Sequence, residues 1–321
     1  SKQVIEQTRN QRRGFHAAIR QSVVIRASNM VDIFGSKKLI DWWRETRQAR
    51  KPKEQPEAME TVILEKTIIK LGTLLALGFG EAGAQIVAHN LQVSDTAGIN
   101  VMIPGQRVDV VSGYLEIRDF ALATDVLVDK VMIFVNQVSE IIHGIVDEFH
   151  GAPNKNFGES FLVIWRLPED PEETQRHCDL SVLSFAKIVA AINRSPILAD
   201  YRLHPGLLQR NPQFRVKLGL SLHLGWAIEG AIGSEFKIDA SYLSPNVTTA
   251  QHLVRAVQND YDCTMLLSHF LVESCSKTLA NSCRQVDSVV IGASKLGCIR
   301  LFVFDLDYRH LEIEDRSQFP K

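Results

Sequence analysis

The chain has 321 residues, 45% hydrophobic and 23% charged, which suits one folded domain or one domain plus an appendage. A net charge of −1 gives no basis for a nucleic-acid partner. Five cysteines with no CxxC pair argue against a disulfide framework or a zinc cluster, and for a reducing compartment.

The near-neutral total hides an asymmetry. Residues 1–53 carry thirteen Lys/Arg against four Asp/Glu, a net of +9, which leaves −10 on the remaining 268. Residues 1–50 read as a basic helical arm, with Phe15, Ile19, Val23, Val24, Ala27, Met30 and Val31 at spacings of three and four. Gly35-Ser36 interrupts it, and Trp42 and Trp43 sit in a second apolar cluster. Such an arm suits a membrane surface, an acidic protein partner or a coiled-coil mate. It equally suits a helix packed on its own domain with solvated arginines. Residues 51–58, with Pro52 and Pro56, read as a linker. Residues 59–106 read as a helical lead-in. Its glycine-rich run Gly78-Phe79-Gly80-Glu81-Ala82-Gly83 lacks a following GK[ST] and a preceding strand, so it reads as a turn rather than a phosphate loop. The first residues are polar and basic, unlike a signal peptide, and the longest apolar stretch is too short to span a bilayer. The expected location is cytoplasmic, with membrane association or a ciliary or cytoskeletal assembly as options.

From Arg107 the periodicity changes. Val108, Val110, Val111, Tyr114 and Leu115 predict a strand ending near Glu116 to Phe120. Asp125 to Phe149 predicts one long helix, stopped by Gly151. Asn154 to Trp165 predicts a tight hairpin feeding a buried strand, with Lys155 and Glu159 flanking the turn. Pro171 to Asn193 predicts a second helix, opened by Pro168-Glu169-Asp170. Arg215 to Leu224 predicts a strand, and Gly225, Gly230 and Gly233 punctuate a further hairpin. Pro245 to Gln258 predicts a helix, followed by strands at 264–267, 286–291 and 299–304. This order predicts an α+β fold, a ferredoxin-like split βαβ with a mostly antiparallel central sheet, flanking helices and an N-terminal helical extension. The domain is placed at 107–308, with a polar tail at 309–321.

Four ordered motifs then carry a resemblance. They are Tyr114-Leu115-Glu116-Ile117-Arg118-Asp119-Phe120-Ala121, Lys155-Asn156-Phe157-Gly158-Glu159-Ser160-Phe161, the glycine-spaced segment Leu218 to Ser234, and Val247-Thr248-Thr249-Ala250-Gln251-His252-Leu253. Through them residues 108–307 resemble the catalytic domain of class III adenylate and guanylate cyclases, with protist-like flanks at 60–91 and 289–307. The resemblance implies two carboxylates holding Mg²⁺ or Mn²⁺, which activate the ribose 3′-hydroxyl and neutralise the triphosphate. It also implies a site shared across a head-to-tail dimer, either a homodimer or a heterodimer with another cyclase domain.

Carried over by position, the metal ligands are Glu116 and Glu159, where the family has Asp. Glutamate places its carboxylate one C–C bond further out, on the order of 1.5 Å, and a misplacement of ~1 Å can cost ~10²-fold in rate. The family's ribose-orienting Asn is Thr248, and its phosphate-stabilising Arg is His252. Lys155 matches the adenine-reading position of adenylate types, Ser241 the second base-reading position, and Lys217 and Arg300 basic positions that touch the triphosphate. The resemblance thus implies a domain of cyclic-nucleotide signalling that binds ATP, is catalytically impaired and acts as a regulatory or structural partner. The alternatives are a working adenylate cyclase and a structural docking module.

Overall fold

The computed structural model describes residues 62–70, 104–234, 237–290 and 297–304. The predicted arm, the linker, the glycine-rich run and the polar tail lie outside them. The chain divides into two units, Ser1–Gly78 and Phe79–Lys321. In the first, residues 62–70 form a helix, α1.

The second unit opens with β1 (Gln106–Ile117), α2 (Phe120–Leu127), a 3₁₀ turn (Val128–Lys130) and α3 (Val131–Glu148). The hairpin β2 (Ala152–Phe157) and β3 (Ser160–Arg166) follows, then α4 (Pro171–Arg194) and β4 (Leu218–Ser234), with two short helices between, α5 (Pro196–Arg202) and α6 (Pro205–Arg210). The spatial order β2-β3-β1-β4, with β1 antiparallel to both β3 and β4, is the split βαβ expected. β5 (Lys237–Leu243) pairs with the far half of β4. After α7 (Pro245–Asn259), β6 (Met265–Ser268) joins β4 in parallel, and β8 (Cys298–Phe304) and β7 (Cys283–Val290) extend the sheet beyond it. The helices α8 (His269–Ser274) and α9 (Lys277–Asn281) lie between β6 and β7.

Alternation along β1 sorts its side chains. Val111 and Leu115 point to one face, where Phe134, Val138 and Ile142 of α3 and Val182 and Phe185 of α4 bury them. Val108, Val110 and Tyr114 belong to the opposite face, covered by Val247, Ala250 and Val254 of α7. Capping sets where both helices start. The Asp170 carboxylate accepts from the Glu173 N–H at 2.9 Å, and Ser244 Oγ accepts from the Asn246 and Val247 N–H groups.

The structure departs from the sequence reading in five places. The helix predicted over 125–149 is two helices, broken at Val128, which has φ 50°. At its end the left-handed residue is His150, φ 59°, not Gly151. Gly151 is required for another reason: a Cβ there would lie 2.5 Å from the Trp165 indole, which packs on it and donates from Nε1 to Phe149 O at 3.0 Å. Gly225 and Gly230 do not turn the chain. β4 runs straight through both, because at 225 the Asn246 side chain occupies the space of a Cβ, 2.3 Å away. The strand predicted from Arg215 starts only at Leu218. Finally, α5, α6, α8 and α9 were not anticipated, since each has five to seven residues, too few to show a period.

Candidate functional site

A cavity of about 190 Å³ opens between β2, β5 and α7. Lys155 and Thr248, from two separate motifs, and Ser241, from the expected second base-reading position, all line it. Lys155 Nζ donates to Ser241 Oγ at 2.5 Å. Asn154, beside it, donates from Nδ2 to Ala240 O at 3.3 Å. These bonds tie the edge strand β2 to the β4–β5 ribbon. Tyr114 and Leu162 form apolar walls, and Phe157, Ile232 and Leu243 add exposed apolar surface at the rim. Thr248 stands at the N-terminal end of α7, its hydroxyl bonded back to Ser244 O at 3.3 Å.

Two residues beyond Tyr114 on the same strand face, roughly 7 Å along β1, lies Glu116. Its neighbour across the ladder is Ser160, and the Ile117 N–H donates to Glu159 O at 2.9 Å. The backbone positions of the two predicted metal carboxylates are therefore adjacent at one end of the sheet. Burial raises the Glu116 carboxyl above the ordinary carboxylate range, the adjacent Glu159 raises it further, and Arg255 on α7 pulls it partly back. Burial also raises the Tyr114 phenol, and Arg255 again opposes the shift.

Among the described residues no group of three or more His, Cys, Asp or Glu gathers as a metal site. Two hard carboxylates suffice, however, for a magnesium-type ion, which takes its remaining ligands from water and phosphate. Their mutual repulsion is also what a cation would relieve. Glu116 and Glu159 fit the role of holding one.

The other predicted residues are placed apart. His252 is exposed on α7, four residues after Thr248 on the same helix face, with Arg255 three further on. Lys217 precedes β4 and lies beside Arg118, whose N–H donates to Lys217 O at 3.0 Å. It lines a separate hollow of about 140 Å³ with Arg118, Arg215 and Asn193. Arg300 lies on β8, two strands from β4, which is roughly 10 Å at normal strand spacing, with its guanidinium held by Glu273. Asp239, near Ser241 in sequence, pairs instead with Lys237 at 3.4 Å. Sequence reasoning missed Asn154, Tyr114 and Gln251 in the cavity wall, and Arg255. The spacing of Arg255 from His252 was the available signal for the last.

A bacterial light-regulated adenylyl cyclase aligns with a TM-score of 0.57 at 20% identity, over 78% of this chain and 66% of that one. A second structure described in the same terms gives 0.56 at 20% identity, with the same coverage of 78% and 66%. The domain has a nucleotide-cyclase-like fold. The chain spans just under two thirds of the length of these two cyclases. The adenylyl cyclase CyaB of P. aeruginosa aligns at 15% identity and a TM-score of 0.47, over 62% of this chain and 95% of that one. Separately, the family model for the all-helical domain of RasGEFs matches residues 21–92, outside the cyclase-like region. No curated protein matches the sequence significantly.

Proposed function

We propose that the domain over residues 107–308 is a nucleotide-binding, cyclase-like domain of cyclic-nucleotide signalling. It takes an adenine nucleotide, is catalytically impaired, and acts as a regulatory or structural partner. The observation that carries this reading is the cavity in which Lys155, Ser241 and Thr248 come together. In the proposed complex the base enters the cavity and Lys155 Nζ donates to a ring nitrogen. Thr248 meets the ribose with a hydroxyl, which lacks the paired donor and acceptor of an amide. The phosphates run toward the carboxylate end of the same sheet face. There Glu116 and Glu159 would hold a Mg²⁺ or Mn²⁺ ion, which when bound would neutralise phosphate charge and lower the pKa of the attacking hydroxyl.

Impairment rests on four substitutions in chemistry rather than in shape, at Glu116, Glu159, Thr248 and His252. Each Glu carries its carboxylate about one bond length further than Asp, on the order of 1.5 Å. His252 offers a single ring where a guanidinium fork would clamp phosphate. The head-to-tail dimer that the resemblance implies would complete the site with a second domain. That domain is another copy of this chain or a different cyclase domain.

The convergence of Glu116 and Glu159 favours a second reading, a working adenylate cyclase. Cyclic AMP assays on purified protein with ATP and Mn²⁺, alone and mixed with an active cyclase domain, separate the two. Robust product from the chain alone overturns impairment. Calorimetry with ATP, using Lys155→Ala as control, tests the binding half; identical heats for both proteins overturn the nucleotide site.

A further inference from the structure

On the side of β1 away from the Glu159 hairpin, the sheet ends in a basic hollow that the cyclase-like reading does not use. Arg118 and Lys217 meet just past the last rung of β1 and β4, where the Arg118 N–H donates to Lys217 O at 3.0 Å. Thr264 stands one strand further on, its carbonyl accepting from the Leu220 N–H at 3.0 Å. With Arg215 these residues line a hollow of about 140 Å³, whose apolar lining includes Ile192 from the end of α4 and Leu218. The strand order β3-β1-β4-β6 sets Arg215 and Lys217, which lead into β4, two strand positions from β3, roughly 10 Å.

Three cations line this hollow, and their charge is poorly offset. The Arg118 side chain is only 14% exposed, and its guanidinium donates to Cys263 O. The carboxylate paired with it, Asp262, stands 3.9 Å away and is fully exposed. A pair that long and that wet contributes little, whereas a cation withdrawn from water calls for a close counter-charge. Among the described residues no carboxylate pairs with Arg215 or Lys217, and both are exposed. The hollow thus gathers three positive charges against one paired carboxylate.

Size and chemistry limit the occupant. The volume falls below the ~300–1,000 Å³ of pockets that hold drug-sized ligands, so the occupant is small. Guanidinium forks match the oxygens of phosphate, and a lysine adds a point charge. The Thr264 hydroxyl offers a further donor.

We infer that this hollow binds a small phosphate-type oxyanion, with Arg215 and Lys217 closing on it from the rim and Arg118 facing it from within. The inference does not depend on the nucleotide reading. It gives Lys217 an anion other than the triphosphate that the resemblance assigns to it. The oxyanion is either free or the end of a small phosphomonoester.

The test titrates the full-length chain by calorimetry in EDTA, so that no metal bridges phosphate to Glu116 and Glu159. The probes are inorganic phosphate, O-phosphoserine, and chloride at matched ionic strength. The same titrations use Arg215→Ala and Lys217→Ala, both at exposed positions, and Arg118 is kept because it also ties β1 to the segment before β6. Wild type should bind phosphate saturably and chloride not at all. Each substitution should weaken phosphate about tenfold, the scale of one charge-assisted hydrogen bond, and Arg215→Lys, which keeps the charge, should recover most of the affinity. ATP affinity of Arg215→Ala should stay within about twofold of wild type. O-phosphoserine binding as tightly as phosphate identifies a monoester as the ligand, and much weaker binding identifies the free anion. The absence of saturable phosphate binding overturns the site, as does binding that survives both alanine substitutions. A loss of ATP affinity in Arg215→Ala equal to the loss of phosphate affinity also overturns it, by making the hollow part of the triphosphate's own site.

Discussion

The two ends of the α7-covered sheet face differ in what holds them. At the base end, Lys155, Asn154 and Ser241 are tied into β2 and β5 by hydrogen bonds and line a defined cavity. At the carboxylate end, Glu116 and Glu159 are neighbours with no third acid among the described residues, and Glu116 is pushed toward its neutral form. Groups that satisfy each other persist as scaffold, whereas like charges held together remain only as a site for something else. Under the proposed reading, recognition rests on groups the fold already ties together, and chemistry on acidic charge that Arg255 offsets only in part.

The comparison can be broken most forcefully at the carboxylate end. Restoring the cyclase pattern with Glu116→Asp, Glu159→Asp, Thr248→Asn and His252→Arg is expected to raise cyclic AMP formation by ~10²-fold or more, the scale of a 1 Å correction. A coupled pyrophosphate assay checks it, and no gain contradicts a fold that is intact for catalysis.

The second prediction concerns the platform under α7. His223 is fully buried, bonded through Nε2 to Asn246 Oδ1 at 3.2 Å and stacked edge-on to Phe270. Burial lowers its pKa from 6.5 to about 4, with the nearby His269 adding to the shift and Asn246 opposing it. Because the folded pKa lies below the unfolded one, the unfolded chain takes up the proton first. Stability is therefore complete above pH 6.5 and falls as pH drops toward 4, by on the order of 3 kcal/mol. Denaturant melts between pH 7 and 4 measure this slope, and His223→Gln should flatten it.

At the base end, Lys155→Ala is expected to weaken ATP binding about tenfold, as for loss of a charge-assisted hydrogen bond. Glu116→Ala should leave metal-free ATP binding within about twofold. Calorimetry reads both, and equal losses would erase the distinction between the two ends. The smallest effect is on stability. A raised folded pKa means that Glu116 destabilises the fold increasingly as pH rises above its unfolded value near 4.5. Glu116→Gln should accordingly raise the melting temperature at pH 7 by roughly a degree or two, with the gain disappearing below pH 4.

Much of the fold was legible because its signals are local. β1, the β2–β3 hairpin, α4 and α7 each show period, turn or cap within a dozen residues, and the split βαβ follows from their order. Two of the misreadings came from glycines, whose role depends on what approaches them. Gly225 looked like a turn and is a seat for Asn246, and Gly151 looked like a helix stop and is a seat for Trp165. That Lys155 and Thr248 would come to one cavity was legible from their motifs, and Ser241 joins them there. The place of Asn154 in the cavity wall was not, because it follows a register slip that only pairing with β3 reveals. Arg255 was missed although its spacing from His252 was a signal, because its coupling to Glu116 depends on the packing of α7 on β1.

The most direct test holds protein in excess over labelled ATP with Mn²⁺, collects the protein on a filter, and resolves the retained label. Intact ATP retained on wild-type protein, and lost with Lys155→Ala, is the expected result. Conversion of the retained label to cyclic AMP, or no retention at all, would contradict a nucleotide-binding domain impaired in catalysis.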